Sequence, residues 1–234
     1  MNFADDQRRA AILHWQNRLD KDELRDFLRS ARMERDVAGL LEITHLKLRS
    51  LLQEYFEAAG VHVGQISFTA AVATLERLPK ELRSASFDDL CSAPERAIRW
   101  VLLVGERTLS ASLQSADARL IETTLETNVE TLVESVGRSL ATGNSATEND
   151  CVISRIRHWL NTGKTQSRRK AMALFLRSEF CPDQRTQLHS LYQHKSAHAA
   201  AQRNYQTRLD LLAAIAECFD SPGEATENKG PKDA

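Results

Sequence analysis

Apolar side chains recur along this chain every three or four positions and almost never every second one. That spacing lines one face of an α-helix rather than one side of a strand. The longest such stripe runs from Glu34 to Ala59. Val37, Leu41, Thr44, Leu48, Leu51, Leu52, Tyr55 and Phe56 follow one another without a gap, and Gly60 supplies a stop. Ahead of it, Ala4 to Arg18 predicts a helix burying Ile12, Leu13, Trp15 and, at its end, Leu19. A second helix starts near Asp20, a suitable cap, with the acids of "DKDEL" in its first turn where the helix dipole favours them. Ser67 is expected to cap a short helix ending at Leu78, because Pro79 follows. Pro94 opens another, at the position where proline is tolerated, running to about Gln114 and burying Ile98, Val101, Leu102 and Leu109. Ser115 then caps a helix whose inner stripe is Ile121, Leu125, Val129, Leu132, Val136 and Leu140.

The pattern breaks at "ATGNSATEND", residues 141–150, which is small, polar and free of large apolar anchors, and so predicts a hinge. A helix from about Glu148 to Asn161 follows, stopped by Gly163. Then come "TQSRRKAMALFLRSEF" and a long segment from Pro182 to Asp220. The tail "SPGEATENKGPKDA" has the composition of disorder. One stretch, "GVHVGQISF" at 60–68, is β-like in composition, but no second strand is available to pair with it, and it reads as a loop. With only nine glycines and five prolines in 234 residues, the expectation is an all-α fold. Its parts are an N-terminal helical bundle at 1–142, a smaller C-terminal helical region with a basic hairpin at 146–220, and a disordered tail at 221–234.

Charge adds two features. The helix expected after Ser115 carries Glu122, Glu126, Glu130 and Glu134 four apart, with no lysine or arginine between them. Each like-charged i,i+4 pair costs about 0.2–0.5 kcal/mol, so three pairs cost roughly 1 kcal/mol. The row flanks the apolar stripe, so it reads as a solvated edge, a docking surface for a basic protein partner, or the counterpart of basic groups elsewhere in the chain. The second feature offers such groups: Arg155, Arg157, Lys164, Arg168, Arg169, Lys170 and Arg177 lie in one segment without any Asp or Glu between them. As a helical hairpin, its "TGKTQSRRK" turn could grip phosphates and Trp159 could stack on a base. Alternatively Trp159 and Ile156 are core and the cations are solvated.

The remaining composition narrows the classes. A formal net charge of −1 means any polyanion must be met by a local patch. No apolar run approaches the roughly 18 residues of a membrane span, and "MNFADDQRRA" does not read as a signal peptide, so a cytoplasmic protein that does not enter a membrane is expected. Cys91, Cys151, Cys181 and Cys218 are widely spaced without CxxC, and read as isolated thiols rather than a zinc ribbon or a redox pair. "NTGKTQS" contains the GKT of a phosphate loop, but His158 stands where that loop needs its first glycine. His194 and His198 sit four apart, yet Lys195 occupies the place of the glutamate in HExxH, and the histidines read as solvated on a long helix. No metal, cofactor or catalytic residue is expected.

"AGLLEITHLKLRSLLQEYFEAAG" followed by "ISFTAAVATLERLPKEL" loosely resembles the middle of HEPN-like helical domains, including the mannitol-operon-repressor type, over residues 38–82 at most. Ribonuclease members of that family carry Arg-x(4–6)-His on a late helix. Here "ERAIRWVLLVGERTLS" has arginines but no histidine, and Arg9 to His14 fits the spacing only in the first helix. The resemblance therefore implies a catalytically silent, dimer-forming regulator. The residues themselves lead to a non-catalytic interaction protein: an adaptor or regulatory subunit that binds a protein partner or itself. The alternative is a nucleic-acid-binding regulator using the Arg155–Arg177 hairpin. A third class is an enzyme whose site assembles from scattered helices.

Overall fold

The computed structural model describes residues 5–32, 40–61, 65–84, 86–137, 146–185 and 187–219. Among them every regular element is helical, giving an all-α, multi-helix fold. The helices are α1 (Asp5–Arg18), α2 (Lys21–Arg32), α3 (Leu40–Ala58), α4 (Ile66–Ser84), α5 (Phe87–Cys91), α6 (Pro94–Thr127), α7 (Val129–Gly137), α8 (Ala146–Asn161), α9 (Gln166–Phe180), α10 (Leu188–Leu191) and α11 (Ala197–Ala216). A 3₁₀ turn at Pro182–Gln184 precedes α10. The expected tail lies wholly outside the described residues, as do residues 141–145 of the expected hinge; its other half, 146–150, is helical and forms the start of α8. Compact packing groups the chain into residues 1–118 with 183–200, and residues 119–182 with 201–234.

In the first unit the described part of the α3 stripe is core as its spacing requires: Thr44, Leu48, Leu51, Leu52, Tyr55 and Phe56 are buried, while Val37 and the Leu41 side chain lie outside the described residues. Gly60 ends that run with φ +87°, and a Cβ there would overlap Ser190, so only glycine fits both the backbone angle and the space. Asp20 caps α2, its carboxylate accepting the Asp22 N–H at 2.7 Å. Three expectations fail locally. Ser67 is not a cap: it lies inside α4, buried, and its hydroxyl donates to Glu57. Pro79 does not end the helix, since α4 continues to Ser84 with Leu78 and Leu82 both fully buried. That burial outweighs the one hydrogen bond a proline removes. Leu13 is 64% exposed, because Ile12, Trp15 and Leu19 take the inner face of α1 and its neighbour position points away.

Ser115 also fails as a helix boundary. α6 runs unbroken for 34 residues, with no glycine or proline near Ser115 to stop it. At Gly105 this helix comes so close to α3 that a Cβ would stand 3.0 Å from Leu52 and 3.1 Å from Phe56. Beside it Glu106 is only 7% exposed. Its carboxylate accepts Arg8 Nε at 2.6 Å, Arg8 Nη2 at 2.8 Å and Tyr55 Oη at 2.7 Å. The hydrogen bond to Glu106 raises the Arg8 pKa, and burial followed by the same carboxylate raises that of Tyr55. α1, α3 and α6 are thus tied at one buried charge. A second polar tie holds the returning segment: Tyr192 Oη donates to the buried Asp117 at 2.7 Å.

The second unit is built round α9. Residues 171–176, "AMALFL", are all buried, so this helix is covered on every side. Val129, Leu132, Val136, Ile156, Trp159, Leu211 and Ile215 belong to the core it shares with α7, α8 and α11. Glu179 accepts Ser135 Oγ at 2.5 Å and Arg208 Nη1 at 3.4 Å, and Asn204 donates to Ser178 at 2.8 Å. The reading of four isolated thiols is corrected here. Cys151 and Cys218, 67 residues apart, form a disulfide with Cα atoms 5.9 Å apart, while Cys91 and Cys181 are free. Helix packing brings two distant cysteines within bonding geometry, which no local spacing reveals.

Replacing Arg8 by Met leaves the Glu106 carboxylate buried beside one hydroxyl, and is expected to cost about 3 kcal/mol. Replacing both Arg8 and Glu106 by Met should recover most of that loss. Equal melting curves for Arg8→Met and the parent would show that the charge is not held by this pair. Removing the disulfide by Cys151→Ser with Cys218→Ser should cost up to about 4 kcal/mol, the chain-entropy value for a loop of this length. Chemical denaturation with and without thiol reads this directly, and coincident curves would deny the bond a stabilising role.

Candidate functional site

The glutamate row does not stand on one helix. α6 ends at Thr127 and α7 starts at Val129, so Glu122 and Glu126 belong to the first and Glu130 and Glu134 to the second. The chain bends at Asn128, although Asn128 N–H still donates to Thr124 and its carbonyl accepts Leu132 N–H. The bend leaves two like-charged pairs within a helix instead of three. All four glutamates are exposed, and none forms an ion pair among the described residues. The basic segment does not supply their counterpart: Arg155 pairs with Glu217 at 2.7 Å.

The basic residues are placed by what buries α9. Its middle is enclosed, so the polar start "QSRRK" has to emerge, and Gln166 to Arg169 are exposed. Thr165 caps the helix, its hydroxyl accepting the Arg168 N–H at 3.3 Å. Gly163 keeps the preceding turn tight, since a Cβ there would stand 3.0 Å from Met172 Sδ, and its carbonyl accepts Arg169 Nε at 2.7 Å. The result is electrostatically unusual. The first turn of α9 holds no acid, and Arg168, Arg169 and Lys170 crowd the end where the helix dipole is already positive. Lys164 is exposed in the turn, and Arg157 is exposed on α8. Arg157, Lys164, Arg168 and Lys170 have no ion pair among the described residues. Arg177 lies further along α9, half-buried and engaged.

Trp159 is not a stacking platform. It is 4% exposed and meets Phe175 edge-on, ring centroids 6.0 Å apart. Its indole N–H is buried and has no hydrogen-bond partner among the described residues. Trp159 nevertheless lines a pocket of about 260 Å³ at the start of α9, with Thr165, Ser167 and Arg168 from the turn and α9, and Arg203 and Asp210 from α11. The two α11 residues were invisible to a reading of the basic segment alone. They lie 26 and 33 positions beyond Arg177, the end of that segment, and only the packing of α11 on α9 brings them in.

Elsewhere the functional chemistry is thinner. A groove of about 350 Å³ in the first unit, between α1 and α3, is lined mainly by alanines, Leu51, Trp15 and Tyr55. At its rim Glu54 accepts Arg18 Nη1 at 2.9 and 3.0 Å and lies 3.4 Å from His14. Burial pulls the Glu54 pKa up, but hydrogen bonds from Arg18 and His14 outweigh it and hold the carboxyl below its usual value. His194 and His198, expected on one long helix, are separated: His194 lies between α10 and α11, and His198 at the start of α11. No group of three or more metal-binding side chains occurs among the described residues. Neither a protein family, nor a curated protein, nor a solved structure matches the chain significantly, and the HEPN-like resemblance rests on its own residues alone.

With the row solvated and split, Glu126→Gln together with Glu130→Gln is expected to leave stability unchanged or raise it by less than about 0.5 kcal/mol. A double-mutant cycle against Arg168→Gln and Arg169→Gln should give no coupling. A coupling of about 0.5 kcal/mol or more that shrinks with salt would instead mean that the row and the hairpin meet.

Proposed function

We propose that this is a non-catalytic binding protein whose α8–α9 hairpin engages the phosphate backbone of nucleic acid. The observation that carries the reading is the concentration of unneutralised positive charge at the start of α9. Three cations sit at the positive end of a helix dipole, next to an exposed lysine, with no acid in the turn. Such an arrangement is unfavourable by itself, and an anion relieves it. A solvated helix edge has no need for this placement, whereas glutamates spread along an exposed face do fit one. The hairpin therefore supports an anionic partner better than the glutamate row supports a basic protein.

The burial of Trp159 sharpens the mode. With no aromatic face offered by this residue, backbone contacts dominate, and binding is insensitive to base sequence. The near-neutral chain means that the patch acts locally. No described helix is long and apolar enough to cross a membrane. A cytoplasmic location belongs to this reading as a proposal, and the Cys151–Cys218 bond opposes it, because such bonds are rare where thiols are kept reduced. The redox state of that pair in protein isolated from cells distinguishes the compartments.

Binding of a labelled single strand, followed by fluorescence anisotropy across a salt series, tests the function. Four free cations predict a slope of log K against log salt of about −3. Arg168→Gln with Lys170→Gln should flatten it by about 1.4 and weaken binding to different sequences equally. Absence of binding at low salt, or a slope untouched by the double variant, would refute the assignment.

A further inference from the structure

We propose that the pocket at the start of α9 is a binding site for a phosphomonoester, which on a nucleic-acid strand is its terminal phosphate. The part concerning strands rests on the hairpin reading above; the part concerning phosphate does not.

Three sets of donors converge on the pocket. The first turn of α9 offers the backbone N–H of Ser167, which has no acceptor within its own helix, and the Ser167 hydroxyl lies beside it. Arg168 from α9 and Arg203 from α11 are both pocket-lining and exposed enough to move onto a ligand. The third donor is Trp159. Buried polar groups are almost always paired, yet this indole N–H, on a side chain lining the same pocket, has no partner among the described residues. The edge-on contact with Phe175 packs the ring within the core, and its missing acceptor is assigned to a ligand in the pocket.

A monoester matches this set better than the diester of a continuous backbone. It presents three terminal oxygens rather than two, and carries a charge of about −1.5 to −2 near neutrality. Asp210 is the one carboxylate in the lining, and it opposes a dianion there; it lies 3.5 Å from Gln206 Nε2. Its presence sets a sign for the test: removing its charge should tighten phosphate binding.

The experiment uses the full-length, ¹⁵N-labelled chain with its disulfide intact. The Trp159 indole resonance is assigned by its absence in Trp159→Phe, which keeps an aromatic ring in the core while deleting the N–H. Inorganic phosphate is then titrated against chloride at constant ionic strength. The expected result is a saturable shift of the Trp159 indole resonance, lost in Arg168→Gln and in Arg203→Gln, with severalfold tighter binding in Asp210→Asn. A strand bearing a 5′-phosphate should bind about tenfold more tightly than the same strand ending in hydroxyl, the worth of one charge-assisted hydrogen bond or two neutral ones. Trp159→Phe should reduce that ratio. An indole resonance unmoved by phosphate overturns the site, as does phosphate binding that survives loss of both arginines. Equal affinity for the two strands, with the salt slope preserved, overturns the terminal-phosphate site and leaves the hairpin standing. A phosphate-induced indole shift without any strand binding does the reverse.

Discussion

A carboxylate on α6 has been taken out of water, and the first unit is arranged around that fact. Burying a charge costs several kcal/mol unless hydrogen bonds and an opposite charge meet it. Glu106 meets both conditions only when α1 delivers Arg8 and α3 delivers Tyr55 to the same place. Apolar burial of Ile12, Trp15 and Leu19 is non-directional and specifies the register of α1 less sharply than a hydrogen-bonded charge does. The bidentate Arg8 contact and the single Tyr55 hydroxyl cannot be met in another register. The close approach at Gly105 has the same effect on α3 and α6, for a larger side chain would push the helices apart and pull the hydroxyl away from the carboxylate. The cluster contributes specificity more clearly than it contributes net stability.

The second unit solves a different problem. A helix with "AMALFL" buried all round has no polar face, so its polar residues are pushed to its ends. At the C-terminal end Ser178 and Glu179 are taken up by Asn204, Ser135 and Arg208. At the N-terminal end only Arg169 is taken up, by the Gly163 carbonyl; Arg168 and Lys170 have no ion pair among the described residues, and the Trp159 N–H beside them has no hydrogen-bond partner there. The same burial therefore produces a closed end and an open one, and the open end is where binding is proposed.

How much of this could be read from the chain depends on the range of each interaction. Elements fixed by local chemistry were legible: the α3 stripe, the Gly60 stop, the Asp20 cap and the start of α6 at Pro94. Ser115 misled because a serine is only a cap where the helix has another reason to end, and none exists between Ala111 and Leu120. Pro79 misled because Leu78 and Leu82 gain more from burial than one lost hydrogen bond costs. The basic segment and the exposed glutamates were visible as charge, but the bend at Asn128 was not. The Glu106 cluster joins positions 98 and 51 residues apart, the disulfide spans 67, and Arg203 and Asp210 enter the pocket from α11. None of these leaves a periodic trace, because each depends on which helices become neighbours.

The disulfide also closes a covalent ring. Everything between Cys151 and Cys218 lies within it: most of α8, the exposed basic turn, the enclosed α9, the excursion at 183–200 and the whole of α11. A peptide bond hydrolysed at any exposed point of that ring opens the loop without dividing the molecule. A protein clipped in the basic turn thus keeps its mass on a non-reducing gel and separates into two pieces only after thiol is added. The turn that presents the most charge is thereby also one where backbone damage goes unnoticed while the bond is intact.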